Sequence, residues 1–128
     1  MPMLKILHVD DEADIRSITK LTLESIGGFD VLSCASGKDA IAAVADTAPD
    51  LIVMDVMMPE MDGPTTYLAF QKIPAASHIP VIFMTAKTQK DEIDSLMEIG
   101  AIGVIAKPFD PMQLSKEVER IWNARTTG

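Results

Sequence analysis

The stretch LKILHVDDEADIRSITKLTLESIGG, residues 4–28, changes its periodicity once, and that change decides the fold. LKILHV, residues 4–9, is an apolar run of strand length, and Asp10, Asp11 and Glu12 end it abruptly. After the acids, Ile15, Ile18, Thr22 or Leu23, and Ile26 recur at steps of three and four until Gly27-Gly28. The first run fits a strand and the second an amphipathic helix with a glycine stop. The same unit repeats along the chain. FDVLSCA (29–35), LIVMDV (51–56), PVIFMT (80–85) and AIGVIA (101–106) are the further predicted strands. Between them, SGKDAIAAVAD (36–46) opens on a capping Ser36 and sets Ile41, Val44 and Ala45 on one side, while TAPD supplies the turn that follows. GPTTYLAFQKI (63–73) has Pro64 near its start and Leu68, Phe70 and Ile73 as apolar positions. KDEIDSLMEIG (90–100) and DPMQLSKEVERIW (110–122) follow, the latter with Asp110 as cap and Pro111 in the first turn, and NARTTG is a frayed end. Five strand and helix pairs, with several strands apolar almost throughout, predict an α/β fold: a doubly wound parallel sheet covered by helices on both faces.

Bulk composition narrows the functions. At 128 residues and 48% hydrophobic content the chain is expected to be one domain with a full core. A net charge of −8, with no basic run, argues against sequence-independent binding to nucleic acid or to an anionic membrane. The start, MPMLKILHVDDE, fits neither a signal peptide nor a membrane span, so a cytoplasmic location is expected. Cys34 is the single cysteine, has no CxxC or CxxH partner, and reads as a small core residue in a reducing compartment.

In a doubly wound sheet, ligands bind beyond the carboxyl ends of the strands, where the strand order reverses. Asp10 and Asp11 end the first strand, Asp55 the third and Thr85 the fourth, and Lys107 directly follows the fifth. Five polar groups thus converge on one rim. Three carboxylates packed together raise one another's pKa and repel unless a cation joins them. Hard oxygen donors without His or Cys select Mg²⁺ or Ca²⁺ over Zn²⁺, and the calcium-loop pattern is absent, which favours Mg²⁺. A lysine and a hydroxyl beside the metal suit a phosphoryl group, and a carboxylate is a competent nucleophile toward phosphorus.

VDDE at 9–12, DVMMPEMDG at 55–63, MTAK at 84–87 and AKPF at 106–109, in that order and at those separations, resemble the receiver domain of two-component response regulators. The resemblance covers essentially the whole chain. It implies the flavodoxin-like strand order 2-1-3-4-5, a single receiver domain over 1–128 without an output domain, and a chemotaxis-regulator-like switch. Asp55 would be the phosphoacceptor, Asp11 and Asp55 the direct Mg²⁺ carboxylates, Asp10 a ligand through water, and the Met57 carbonyl the last protein ligand. Thr85 would be the switch hydroxyl and Lys107 the partner of the phosphoryl group, aimed inward by a cis Lys107–Pro108 bond. The implied partners are a sensor histidine kinase or histidine phosphotransfer protein and a downstream protein, with the chain monomeric or dimeric on activation. At the position three before the lysine, where receivers commonly carry Tyr or Phe, this sequence has Val104, and Ile102 does not replace it. A valine cannot make the same rotamer swing, which puts the usual aromatic readout in doubt.

Plainer origins account for some of these residues. The helix dipole favours acids at any helix start, and that explains Glu12. His8 lies within the first strand and reads as a buried, hydrogen-bonded core residue; His78 sits in a loop and is expected to be exposed. The nine methionines suit a pliable core, and Trp122 reads as packing. Two rival functions remain. A phosphohydrolase of the haloacid dehalogenase type wants D-x-D-x-T after its first strand, whereas Asp10 is followed at these positions by Glu12 and Asp14. A receiver-like binding module independent of phosphorylation would not need the acid, hydroxyl and lysine set.

Overall fold

The computed structural model describes residues 4–125. Along the chain run β1 (Lys5–Val9), α1 (Ala13–Ser25), β2 (Asp30–Cys34), α2 (Gly37–Thr47), β3 (Leu51–Asp55), α3 (Gly63–Gln71), β4 (Val81–Thr85), α4 (Lys90–Ile99), β5 (Gly103–Ala106) and α5 (Pro111–Ala124). The strands form one parallel sheet in the order β2-β1-β3-β4-β5, as expected. The order reverses at β1, between β2 and β3, so the crevice above β1 and β3 is the switch point. Of the expected frayed end, Asn123 and Ala124 instead continue α5, and residues 126–128 lie outside the described residues.

Side-chain alternation divides the interior into two layers. Leu7, Val9, Ile52, Met54, Val81 and Phe83 face Val44 of α2, Tyr67 and Phe70 of α3, and Leu96 of α4. Ile6, Val31, Leu51, Val53, Ile82, Met84 and Ile105 face Leu23 of α1 and Leu114, Val118 and Ile121 of α5. β3 and β4 are buried at every position, which is why their sequences read as apolar runs up to their terminal Asp55 and Thr85. Cys34 is buried and free, and half-buried Trp122 packs against the second layer with the Arg125 guanidinium 3.4 Å from its ring centroid.

Helix starts follow their caps. Ser36 Oγ accepts the Asp39 N–H at 3.1 Å, and Asp110 Oδ1 accepts the Met112 N–H at 2.9 Å with Pro111 next to it. Asp62, not singled out from sequence, caps α3 by accepting the Thr65 N–H at 2.9 Å. The helix faces differ in places from expectation. Ile26 is 49% exposed because α1 has ended before it, and Thr19, Thr22 and Leu23 are the buried positions. In α2, Ala40 and Val44 are buried while Ala45 faces outward. In α3, Leu68 is 55% exposed, since the inward face runs through Thr66, Tyr67 and Phe70 at the true helical period.

Part of the open edge of β2 is covered by α1. Val31 N–H donates to Glu24 Oε2 at 3.2 Å, Lys20 Nζ donates to the Val31 carbonyl at 2.7 Å, and Phe29 N–H donates to the Leu23 carbonyl at 3.1 Å. The first two of these bonds occupy the outward-facing N–H and carbonyl of Val31 as a neighbouring strand would.

Candidate functional site

Four of the five strands deliver polar residues to the rim around the switch point. Asp10 follows β1, Asp55 is the last residue of β3, Thr85 the last of β4, and Lys107 the first after β5. Parallel register levels these ends: Asp55 is opposite Met84, and Thr85 is opposite Ala106. A glycine is required just behind them. The Gly63 N–H donates to the Val56 carbonyl at 2.8 Å, and a Cβ on Gly63 would stand 2.6 Å from the Asp55 carbonyl oxygen. The start of α3 is thereby pressed against the backbone that carries Asp55.

One carboxylate oxygen from each of Asp10, Asp11 and Asp55 lies within 4.8 Å of the others. Asp10 and Asp55 are buried and Asp11 is exposed. Lys107, whose side chain is 13% exposed, reaches in from the β5 side. Its Nζ donates to Asp10 Oδ2 at 3.0 Å and to Asp55 Oδ2 at 3.3 Å, and the Lys107–Pro108 bond is cis. Asp10 Oδ1 accepts the Glu12 N–H at 2.9 Å, and Asp55 Oδ1 accepts the Met57 N–H at 3.4 Å.

Burial and the neighbouring Asp10 charge push the Asp55 carboxyl above the ordinary aspartate range, against the pull of Lys107 and the Met57 amide. Burial opposes the charge on Lys107 as well, but Asp10 and Asp55 outweigh it and hold this lysine above its usual pKa. The pocket therefore keeps its ammonium charged across neutral pH.

The donor set suits a hard divalent cation. It consists of carboxylate oxygens at one rim, with Asp11 open to solvent and its carboxylate unengaged among the described residues. Asp10, by contrast, has both oxygens occupied, one by Lys107 and one by an amide.

Thr85 is buried, and its Oγ1 accepts the Lys87 N–H at 3.0 Å. It sits apart from the hydrogen bonds that join Asp10, Asp55 and Lys107, and lines a cavity of about 370 Å³ under the start of α4, with Val56, Met57, Lys87, Asp91 and Leu96. Met57 is 61% exposed at the mouth. Val104 is half-buried opposite Phe83 and packs into the layer under α4.

Three features were not legible from the sequence. Glu12 opens α1 as expected, yet its side chain makes no cap and its carboxylate lies 3.8 Å from Lys107 Nζ. Arg16, in the first turn of α1, donates from Nη1 to the Asp10 carbonyl at 2.9 Å. An arginine three residues before Thr19, and so on the inward side of the helix, was the available signal, and the amphipathic pattern absorbed it. His8 is fully buried as expected, but neither ring nitrogen has a hydrogen-bond partner among the described residues. Its strand neighbours offer the apolar Ile6 face and an equally unpartnered Ser33 hydroxyl.

Residues 6–119 match the family model of the response regulator receiver domain. Among curated proteins, the chain is 38% identical over 117 residues to the probable transcriptional regulator ycf27 of Porphyridium aerugineum, an alignment covering 91% of this chain and 47% of that protein. It is 35% identical over 123 residues to the phosphate regulon transcriptional regulatory protein PhoB of Pseudomonas aeruginosa, covering 96% of this chain and 52% of that one. The chain thus spans about half the length of the curated relatives it matches. Among solved structures, the chemotaxis response regulator CheY4 of Vibrio cholerae superposes with a TM-score of 0.86 at 32% identity, over 94% of this chain and 99% of that one. A response regulator receiver domain protein from Clostridium thermocellum gives 0.82 at 28% identity, over 98% of both chains.

Proposed function

The chain belongs to the response regulator receiver domain family, and from that membership we propose that Asp55 takes a phosphoryl group from a phosphohistidine on a sensor kinase or phosphotransfer protein. The observation that carries this assignment is the lysine bridge: one buried ammonium bound to Asp10 and Asp55, with a buried hydroxyl on the adjoining strand. An Asp55 carboxylate oxygen attacks phosphorus in line, the N–P bond of the donor breaks, the imidazole leaves with its electron pair, and an aspartyl phosphate remains. Asp11 and Asp55, Asp10 through water, and the Met57 carbonyl are the residues proposed to hold Mg²⁺. When bound, that ion neutralises charge on the phosphoryl oxygens and orients them.

Lys107 then exchanges Asp55 Oδ2 for a phosphoryl oxygen without leaving the pocket. Thr85 gives up its contact with the Lys87 amide and donates its hydroxyl proton to another phosphoryl oxygen. Its departure alters the lining of the cavity under α4, and the populations of α4, β5 and α5 shift with it. Val104 follows this change by packing, in place of an aromatic ring's rotation. We read the output as contact with a protein or onward transfer of the phosphoryl group, in the cytoplasm and by a monomer or an activation-dependent dimer. The net charge of −8 supports a protein target over nucleic acid for this domain's own surface, and no helix among the described residues is long and apolar enough to cross a membrane.

The direct experiment is intact mass after incubation with Mg²⁺ and acetyl phosphate, expected to show one added phosphoryl group that a chelator prevents. The lifetime of that adduct is a separate expectation. Met57 and Lys87 flank the mouth, and neither is an acid or amide able to orient an attacking water. The phosphoprotein is therefore expected to persist for many minutes in Mg²⁺, and loss within seconds would show that another group directs water.

A further inference from the structure

Every polar atom of Asp10 is engaged. Its N–H donates to the Cys34 carbonyl at 3.1 Å, Oδ1 accepts the Glu12 N–H at 2.9 Å, and Oδ2 accepts from Lys107 at 3.0 Å. The carbonyl oxygen accepts from Arg16 Nη1 at 2.9 Å. That last bond differs from the others in what it fixes, because the carbonyl belongs to the peptide group joining Asp10 to Asp11. Asp11 itself is exposed and its carboxylate is unengaged among the described residues, yet one of its oxygens shares the 4.8 Å group with Asp10 and Asp55. The peptide plane ahead of it, together with the φ and χ angles of Asp11, sets the direction of that carboxylate.

We propose that Arg16 is a positioning residue for the cation site: by clamping the Asp10 carbonyl it holds the Asp10–Asp11 peptide so that Asp11 presents its carboxylate to the pocket. This rests on assigning Asp10, Asp11 and Asp55 to Mg²⁺. Arginine suits the task, since the guanidinium is charged at all working pH values and offers planar donors. Arg16 is also tied to the same turn at its backbone, where its N–H donates to the Glu12 carbonyl at 3.0 Å. One residue therefore bonds to the peptide before Asp11 and to the residue after it. A purely electrostatic role makes the opposite prediction, because a guanidinium held at the Asp10 carbonyl repels an incoming cation, and its removal would tighten Mg²⁺.

The test is a Mg²⁺ titration of the labelled chain, following the amide resonances of Asp11 and Met57 in the wild type, Arg16→Ala and Arg16→Lys. Arg16→Ala is expected to bind Mg²⁺ roughly tenfold more weakly, the usual scale for removing a group that orients a ligand. Arg16→Lys, which keeps a donor within reach, is expected to recover most of that loss. The Mg²⁺ concentration for half-maximal phosphoryl uptake from acetyl phosphate should rise by the same factor, while the rate at saturating Mg²⁺ is retained. An affinity within about twofold of wild type in Arg16→Ala, or a tighter one, overturns the proposal, and so does a lysine variant as weak as the alanine one. Should Arg16→Ala fail to fold, Arg16→Gln takes its place against Arg16→Lys: weak binding by the glutamine variant alone supports the clamp, and equal affinities overturn it. If the wild type shows no Mg²⁺-dependent shift at Asp11 or Met57, the assignment of the cation site fails as well. Shifts in the wild type that the variants reproduce in full remove only the role of Arg16.

Discussion

Replacing Lys107 with methionine is expected to destabilise the metal-free protein by about 3 kcal/mol, and to make the variant gain more from Mg²⁺ than the wild type does. Methionine retains most of the aliphatic stem, so the lost element is the ammonium. That ammonium bonds to Asp10 and Asp55, both buried, and their carboxylates would be left close together without a counter-charge. Removing one partner of a buried ion pair costs about 3–5 kcal/mol, and the lower end applies because Asp55, already raised in pKa, relieves the repulsion by taking up a proton. A divalent cation supplies positive charge to the same oxygens. Urea unfolding in chelator and in Mg²⁺ measures both effects. The deficit in chelator should narrow as the pH falls toward the range where Asp55 protonates. A variant as stable as the wild type in chelator, or one that gains no more from Mg²⁺, would mean that the lysine bridge does not balance the acids.

Lowering the pH from about 7 to about 4.5 is expected to cost the wild-type fold roughly 2.4 kcal/mol through His8 alone, and a His8→Leu variant should escape that loss. Burial takes the His8 imidazole from its ordinary pKa of 6.5 down to about 4, with Lys107 and Arg16 acting in the same direction and Asp10 against them. The folded protein thus holds His8 neutral where the unfolded chain protonates it. Stability linked to this group is complete above about pH 6.5, falls as the pH drops toward 4, and falls no further below. Asp55 works with the opposite sign, since a carboxyl raised in the fold binds its proton before the unfolded chain does. The wild type and His8→Leu share that contribution, so it cancels in their difference. The leucine variant is also expected to be the more stable at neutral pH, because two ring nitrogens without partners among the described residues are removed from the interior. Urea midpoints for the two proteins in chelator at both pH values decide the matter. An unchanged difference between the two pH values would show that His8 is solvated or hydrogen-bonded in solution.

The sheet was legible because its evidence is local. β3 and β4 lie buried on both faces, so LIVMD and VIFMT stay apolar until their last residues, Asp55 and Thr85, and their ends fall within a residue of the expected bounds. The site was legible for a related reason: once strand ends are known, Asp10, Asp55, Thr85 and Lys107 are carried to one rim by register, whatever the helices do. Helix faces were less readable. In α3 the step from Leu68 to Phe70 is too short for one face, and only packing against the sheet selects Thr66 and Tyr67 over Leu68. The contacts of Glu12 and Arg16 were hidden because each residue has an adequate local explanation, a helix start for one and a helix surface for the other. Their approach to Lys107 and to the Asp10 carbonyl depends on how β1 turns into α1. Likewise, burial of His8 follows from its place in a strand, whereas its lack of partners depends on which groups α1 and β2 bring beside it.

The most direct test of the proposed switch compares phosphoryl uptake by the wild type and by Asp55→Asn, each incubated with Mg²⁺ and either acetyl phosphate or a phosphohistidine donor and read by intact mass. One phosphoryl group on the wild type and none on Asp55→Asn is the expected result. An equal adduct on both proteins, or none on the wild type with either donor, would contradict the assignment of Asp55 as the acceptor.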